Sequence, residues 1–282
     1  MPASCGRRNS LIVPLLLVLL GSPPVRADTT LVGRLEQGGL VQGRTGPGAS
    51  VTLDGRAVPV SADGRFLLGF GRDAEAEAML EVQEPGQAVQ RRPLVIARRD
   101  WAVQRIEGLP RDKADPDPVA VARIKEESDR LRALRNSASP VPLFLSGLIR
   151  PADGTVSGVF GSQRVYNGRA GAPHSGLDIA APTGAPVWAA ADGVVVLAAP
   201  DLFLTGRTVM IDHGLGLMSS YAHLSRIDVT AGSRVAAGQP IGAIGATGLA
   251  TGAHLHWGMS WMDIRLDPQS TLGVLGGISA QK

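Results

Sequence analysis

The chain has 282 residues, with 28 basic and 25 acidic side chains and a formal net charge of +3. Three of the basic residues, Arg7, Arg8 and Arg26, fall within the first 27 positions, which hold no acidic residue, so the remainder is formally neutral. This balance gives no electrostatic reason to expect a nucleic-acid partner. The single cysteine, Cys5, excludes an internal disulfide framework.

The first 27 residues predict a secretory signal peptide. A pair of arginines precedes an apolar run from Leu11 to Leu20, and Val25 and Ala27 occupy the −3 and −1 positions of a cleavage point. An apolar run of about ten residues is too short to cross a bilayer core of ~30 Å as a helix. We therefore expect an exported protein of the periplasm or the extracellular cell envelope, without a stable membrane anchor after cleavage. An uncleaved anchor is the less favoured alternative.

Residues 28–110 predict a small β-sandwich-like module. Short apolar stretches alternate with turn signals, among them Asp54-Gly55 and Asp63-Gly64, and Asp-Gly between apolar runs is a strong hairpin signal. Several short strands at this spacing are typical of a sandwich. Because the segment holds no cluster of histidine, cysteine or carboxylate side chains, we expect a structural or targeting role and not a second active site.

Residues 111–142 predict a linker that contains one helix. Asp117 is a suitable N-cap, Pro118 suits the first helical position, and the helix is expected to end near Asn136. One apolar stripe follows the helical period, formed by Val121, Ile124, Leu131 and Leu134. A spacer helix packed on one domain is favoured over a helix that docks a partner protein.

Residues 143–282 predict an all-β domain with an antiparallel sheet. Short apolar stretches such as Val194–Leu197 and Thr208–Ile211 are separated by glycines, and no segment with a convincing helical period interrupts them. We expect a groove floored by one sheet. The whole chain is therefore expected to be all-β, with a groove domain preceded by a small β-sandwich and a short linker helix.

All five histidines lie between His174 and His256, and they predict a metal site. His254 and His256 are two residues apart, so in a strand they would face the same side. His174 and Asp178 are four apart and would also share a face if that segment is extended. Two imidazoles and one carboxylate leave a fourth position open, as in catalytic zinc sites. The alternative is that the histidines are scattered and only form hydrogen bonds. Because two paired motifs occur in one domain, this alternative is less favoured.

Three motifs resemble those of the M23 (lysostaphin/LytM-type) zinc metallopeptidases. They are HxxxD at 174–178, YAH at 221–223 and HxH at 254–256. The resemblance extends over roughly residues 145–270, about half of the chain, and such a co-linear set is more specific than any one short motif. It implies the same β-sheet core.

The resemblance also implies roles for individual residues. The zinc ligands of the family correspond to His174, Asp178 and His256, and its two catalytic histidines that do not bind zinc correspond to His223 and His254. The implied activity is a zinc-dependent endopeptidase that hydrolyses peptide bonds in the stems or cross-links of bacterial peptidoglycan. One of the two catalytic histidines would be the base and the other an electrostatic stabiliser, with the assignment open.

Two further residues have expected supporting roles. Tyr221, two residues before His223, is expected to share its strand face and to support the site. His213 is expected to be structural, because its neighbours Asp212 and Gly214 mark a strand end.

Other functions remain open at this level. Some proteins of the fold have lost ligands and act as regulators or binders of cell-wall hydrolases, but no ligand or catalytic position is lost here. A wall-binding module stabilised by zinc is another alternative, and a regulatory protein partner is undefined. Residues 229–245 also look like a biotinyl or lipoyl carrier, but the domain has no lysine before Lys282 to hold such a cofactor.

Overall fold

The computed structural model describes residues 29–106, 117–137, 139–166 and 168–275. Within these ranges the chain forms twenty-one β-strands and two α-helices, which confirms the all-β class. The expected signal segment lies outside the described residues. No helix in the described ranges is both long and apolar enough to span a membrane.

Seven strands of the N-terminal part form two antiparallel sheets. They are β1 (Thr30–Gly33), β2 (Leu40–Arg44), β3 (Ser50–Leu53), β4 (Arg56–Val58), β5 (Arg65–Gly69), β6 (Glu77–Gln83) and β7 (Gln90–Val95). One sheet has the order β1-β2-β5 and the other β4-β3-β6-β7. In β6, Ala78, Leu80 and Val82 are buried while the residues between them are more exposed, which is the alternation of a strand with one face in a core.

The two Asp-Gly turns differ in what they connect. Asp54 and Gly55 have φ values of 50° and 76° and join the paired strands β3 and β4, as expected for a tight hairpin. After Gly64, β5 pairs with β2 in the other sheet and not with β4. The second hairpin prediction is therefore wrong beyond one bridge between Val60 and Phe66.

The helix α1 (Pro118–Asn136) begins and ends where the sequence predicts. The Asp117 carboxylate accepts a hydrogen bond of 2.8 Å from the backbone N–H of Ala120, which caps the first turn. On its inner side Leu131 and Leu134 pack against a buried cluster of the C-terminal sheet, formed by Leu197, Ala199, Leu202, Met210 and Met218. The helix therefore covers part of that sheet.

The C-terminal part is built around one antiparallel sheet of eight strands. The strands are β9 (Thr155–Gly158), β12 (Leu177–Ala180), β14 (Gly193–Leu202), β15 (Gly206–Gly214), β16 (Leu217–Leu224), β18 (Arg234–Val235), β20 (His254–Trp261) and β21 (Ile264–Leu266). Their order is β18-β14-β15-β16-β20-β12-β9, with β21 also paired to β20. A smaller sheet has the order β13-β19-β17, with β13 (Pro186–Trp188), β17 (Arg226–Ile227) and β19 (Pro240–Ala243).

A further three-stranded sheet joins the two halves of the chain. Its strands are β8 (Val103–Ile106), β10 (Gln163–Tyr166) and β11 (Arg169–Ala170), with β8 parallel to β10. The sequence places β8 in the N-terminal module, but its hydrogen-bonded neighbour belongs to the C-terminal domain. In addition, β5 packs against β20 and β21, where Gly69 lies against the side chain of Trp261. The domain boundaries at 110 and 142 stay predictions.

A second helix, α2 (Pro268–Leu275), was not expected. It is too short to show a periodic pattern, but its start has a sequence signal. The Asp267 carboxylate accepts a hydrogen bond of 2.9 Å from the backbone N–H of Gln269, and Pro268 occupies the first helical position. An Asp-Pro pair begins both helices of the described chain.

Candidate metal centre

Two adjacent strands of the large sheet present Asp178 and His256 to the same side. The antiparallel register places Asp178 directly opposite His256 and Ala180 opposite His254. Between them Leu255, Trp257 and Ile179 point to the other face and are fully buried. Alternation along β12 and β20 therefore separates the core from the polar cluster, and the structure places both histidines of the HxH motif on the side of that cluster.

His174 reaches the cluster from a loop and not from a strand. The strand β12 begins only at Leu177, so the argument from a shared strand face does not apply to His174. Its ring nitrogen Nδ1 lies 2.9 Å from the carbonyl oxygen of Val159, and its backbone N–H donates to Ser162 O at 2.8 Å. Because a carbonyl oxygen can only accept, the proton is on Nδ1 and the lone pair of Nε2 points into the cluster.

The three donor atoms form a nearly equilateral triangle. His174 Nε2 lies 3.0 Å from Asp178 Oδ1 and 3.1 Å from His256 Nδ1, and the third edge, between His256 Nδ1 and Asp178 Oδ1, is 2.9 Å. Ligands about 2.0–2.1 Å from a tetrahedral zinc ion are separated by about 3.3–3.4 Å, close to these edges. The cluster is therefore compatible with a metal site, and its N₂O donor set suits zinc.

The electrostatics of the cluster favour the protonation states that a metal needs. Burial acts to raise the pKa of Asp178, but its close polar contacts with the His174 and His256 rings outweigh it and hold that pKa well below its usual range. Burial lowers the pKa of His256, against the opposing effect of Asp178. An ionised carboxylate and a neutral imidazole are the forms that coordinate metal ions.

His223 and His254 lie beside the triangle. Their ring centroids are 4.7 Å apart, and the ring of His223 is 6.2 Å from that of His256. His223 Nδ1 lies 2.8 Å from the carbonyl oxygen of Thr247, and His254 Nδ1 lies 2.9 Å from that of Gly252, so each ring carries its proton on Nδ1. Both Nε2 lone pairs are then available, and burial lowers the pKa of His223, which keeps that ring neutral.

Tyr221 does not support the cluster, and that expectation is wrong. It pairs with Trp257 on the opposite face of the sheet and is fully buried. The alternation fails because His223 has φ of +62°, a left-handed conformation that turns its side chain towards the cleft. The neighbouring Ala222 lies opposite His256 on the site face.

His213 and Tyr221 belong to a buried polar chain on that other face. His213 Nδ1 lies 2.8 Å from Asp192 O, and its Nε2 lies 2.7 Å from Ser219 Oγ, which is 2.9 Å from the Tyr221 hydroxyl. The Tyr221 hydroxyl in turn accepts from the Ala190 N–H at 2.8 Å. Burial lowers the pKa of His213 to about 4 and raises that of Tyr221 to about 12, so both are neutral structural residues.

A groove of about 650 Å³ opens beside His174 and Asp178. Its wall is formed by residues of β9 and the 162–172 region and by two residues from the N-terminal half, Ala102 and Val103. Nothing in the local sequence indicates that this segment lies near the histidines. The pairing of β8 with β10 brings it there.

Arg265 is a further charged residue that the sequence analysis did not identify. It lies opposite Ser260 on β20, and its guanidinium approaches Gly258, which is two residues from His256 on the same face. Burial, and secondarily the charge of Arg135, lower its pKa to about 9. Its positive charge in turn contributes to the lowered pKa of His256.

Comparisons with known proteins agree with this geometry. Residues 172–268 match the model of peptidase family M23. The peptidoglycan DD-endopeptidase ShyA of Vibrio cholerae is 48% identical over 86 residues, which are 30% of this chain and 20% of that protein. The DD-carboxypeptidase/endopeptidase Mpg of Neisseria meningitidis is 45% identical over 84 residues, 30% of this chain and 19% of that protein. The chain thus matches about a fifth of the length of these curated relatives.

A longer match comes from a solved structure. A crystal structure of a peptidase M23 protein from Pseudomonas aeruginosa is 31% identical, with a TM-score of 0.66. The match covers 85% of this chain and 95% of that one, so it includes the N-terminal half as well as the sheet with the histidines. The chain belongs to peptidase family M23.

Proposed function

We propose that the protein is a zinc-dependent endopeptidase that hydrolyses peptide bonds in the stems or cross-links of bacterial peptidoglycan. The observation that carries the proposal is the triangle of His174, Asp178 and His256 with two further imidazoles beside it. The names of the relatives, which include peptidoglycan DD-endopeptidases, support the substrate.

In this proposal His174, Asp178 and His256 would hold the zinc ion. Bound zinc supplies Lewis acidity, which acidifies water and polarises the scissile carbonyl group. The hydrogen bond that His174 Nδ1 donates to Val159 O orients the ring and turns Nε2 towards the metal position.

His223 and His254 act on the reacting groups. With protons fixed on Nδ1, either Nε2 can accept a proton, and the protonated ring can then stabilise negative charge that develops on the carbonyl oxygen. Their mutual contact makes it unfavourable for both rings to be charged at once, so the expected arrangement is one neutral ring that acts as the base and one protonated ring that acts as the electrostatic stabiliser.

The proposed place of action is the cell envelope. It rests on the sequence of the first 27 residues and on the substrate named for the relatives. Mass spectrometry of protein from the envelope fraction should find an N-terminus near Asp28, whereas an intact Met1 in the cytoplasm would contradict export.

The activity is tested by incubating purified protein with purified sacculi and measuring released peptides by chromatography. We expect release by the wild type, loss with a chelator, recovery on addition of zinc, and no release by His174→Ala. The control is Arg91→Ala, which removes an exposed ion pair with Glu81 in the N-terminal part. A wild type that binds sacculi and zinc but releases nothing would instead indicate a non-catalytic regulator or binder.

A further inference from the structure

Trp101 lies at the junction between the two halves of the chain, just before β8. Its indole Nε1 donates a hydrogen bond of 3.2 Å to the backbone oxygen of Arg72. The guanidinium carbons of Arg99 and Arg72 lie 4.5 and 5.6 Å from its ring, a cation–π arrangement, and Phe160 packs edge-on at 5.6 Å. The indole is therefore held by the N-terminal half while it contacts the C-terminal half.

The indole lies directly against the backbone of Gly161. This glycine has φ of +79°, and a Cβ atom placed on it would overlap the six-membered ring of Trp101. Arg72 Nε also donates a hydrogen bond of 2.8 Å to the carbonyl oxygen of Gly161. One face and one carbonyl group of this residue are thus fixed by side chains from the N-terminal half.

Gly161 belongs to the Val159–Ser162 loop, which holds His174 by three hydrogen bonds. The Gly161 N–H donates to His174 O at 2.9 Å, and the His174 N–H donates to Ser162 O at 2.8 Å. The third bond joins His174 Nδ1 to Val159 O at 2.9 Å. The position and the tautomer of the His174 ring therefore depend on this loop.

We propose that Trp101 and Arg72 are positioning residues for His174, so that the N-terminal half is part of the metal centre although it contributes no ligand. They act through the Val159–Ser162 loop, whose carbonyl group at Val159 orients the ring. The proposal rests on the proposed role of His174 as a metal ligand. Loss of an outer-shell partner commonly lowers metal affinity by about 10–100-fold, and we expect about tenfold here because the contact is one step removed.

The test measures metal binding and not catalysis. Trp101→Leu and Arg72→Ala are compared with the wild type in three ways: zinc affinity by competition with a chromogenic chelator, the visible spectrum of the cobalt-substituted protein, and thermal unfolding of the metal-free protein. We expect about tenfold weaker zinc binding and an altered cobalt spectrum in both variants. Arg72→Lys, which keeps a donor for Gly161 O, should recover most of the affinity.

The matched control is Arg56→Ala. Arg56 also links the two halves, through bonds of 2.7 Å to Asp263 and 3.3 Å to Asn136, but it does not contact the Val159–Ser162 loop. Its loss should affect unfolding of the metal-free protein and leave zinc affinity and the cobalt spectrum unchanged. Equal zinc affinity in all variants, or an equal loss in Arg56→Ala, would overturn the positioning role.

The outcomes also separate this inference from the proposed activity. A wild type that binds zinc tightly but cleaves no peptidoglycan would refute the activity and leave the affinity comparison valid. If Trp101→Leu does not fold, Arg72→Ala and Arg72→Lys decide the question, because the Arg72 side chain is replaced without opening a cavity the size of an indole. A wild type without zinc affinity would overturn both proposals.

Discussion

The carboxylate of Asp178 and the imidazole of His256 lie directly opposite each other in adjacent antiparallel strands, with 2.9 Å between Oδ1 and Nδ1, although 78 residues separate them in the chain. Their meeting depends on strand register. A slip of β12 by one residue would turn Asp178 into the core and bring Ile179 into the cleft. The same hydrogen bonds that build the sheet therefore set the donor geometry.

Replacing Asp178 by asparagine should weaken zinc binding by at least tenfold, because the site loses its only anionic donor while the side-chain volume stays the same. Zinc content after dialysis and affinity by chelator competition measure the effect. Asp201→Asn is the control, since Asp201 is an exposed carboxylate paired with Arg123 of α1 and makes no bond to the cluster. Full zinc occupancy in Asp178→Asn would rule out Asp178 as a ligand.

Replacing His223 or His254 by asparagine should retain zinc and remove most of the turnover. General acid–base catalysis contributes about 10²–10⁴-fold, and a lost oxyanion donor about 10²–10³-fold. Asparagine suits position 223 because it tolerates the left-handed backbone found there. The expected result is a lower kcat with little change in KM, measured together with zinc content. Unchanged cleavage in both variants would refute these roles.

Gly176→Ala should reduce metal affinity without replacing a ligand. A Cβ atom at this position would lie 2.9 Å from both Cε1 and Nε2 of His256 and 2.5 Å from the backbone oxygen of Trp257. Such contacts require the ring or the loop to move, which displaces Nδ1 from the triangle. Gly252→Ala is a suitable comparison, because no atom lies within 4 Å of a Cβ placed there. Equal zinc affinity in the two variants would show that the loop adapts freely.

His213 should make the protein less stable in mild acid. Its folded-state pKa of about 4 lies below the ordinary value of 6.5, so the unfolded chain binds the proton more readily. The contribution of neutral His213 to the free energy of unfolding is fully present above pH 6.5. It is lost as the pH falls towards about 4, at up to about 1.4 kcal/mol per pH unit.

Urea unfolding at a series of pH values tests this effect. His213→Gln should have a lower free energy of unfolding near neutrality but a flatter pH dependence than the wild type. His223 and His256 also have lowered pKa values, so the wild-type curve includes their contribution and the difference between the two proteins isolates His213. Parallel curves would show that another group causes the acid sensitivity.

The cluster was predictable where side-chain direction follows strand periodicity. His254 and His256 are two apart in a true strand, so their common face could be read from the spacing alone. His174 and His223 could not be placed in this way, because one lies in a loop and the other has a left-handed backbone that breaks the alternation. For these two residues the family motifs, and not the periodicity, indicated a place at the site.

Contacts between distant segments were not predictable. Arg72 and Gly161 are 89 residues apart, and nothing in either local sequence indicates that a side chain of one fixes the carbonyl group of the other. The pairing of β8 with β10 is a second contact of this kind, because no local pattern indicates which strand lies beside residues 103–106. Local sequence patterns indicate individual strands and helices, whereas these contacts depend on how whole sheets and helices pack against one another.

The packing of α1 on the large sheet determines where the chain can be shortened. Leu131 and Leu134 keep water from Leu197, Met210 and Met218. A fragment that begins at residue 143, the boundary expected from the sequence, would expose this apolar surface of the large sheet, and an exposed apolar patch promotes association between molecules. The shortest monomeric fragment must therefore begin before Pro118, at a position that a boundary search guided by the histidine motifs alone would miss.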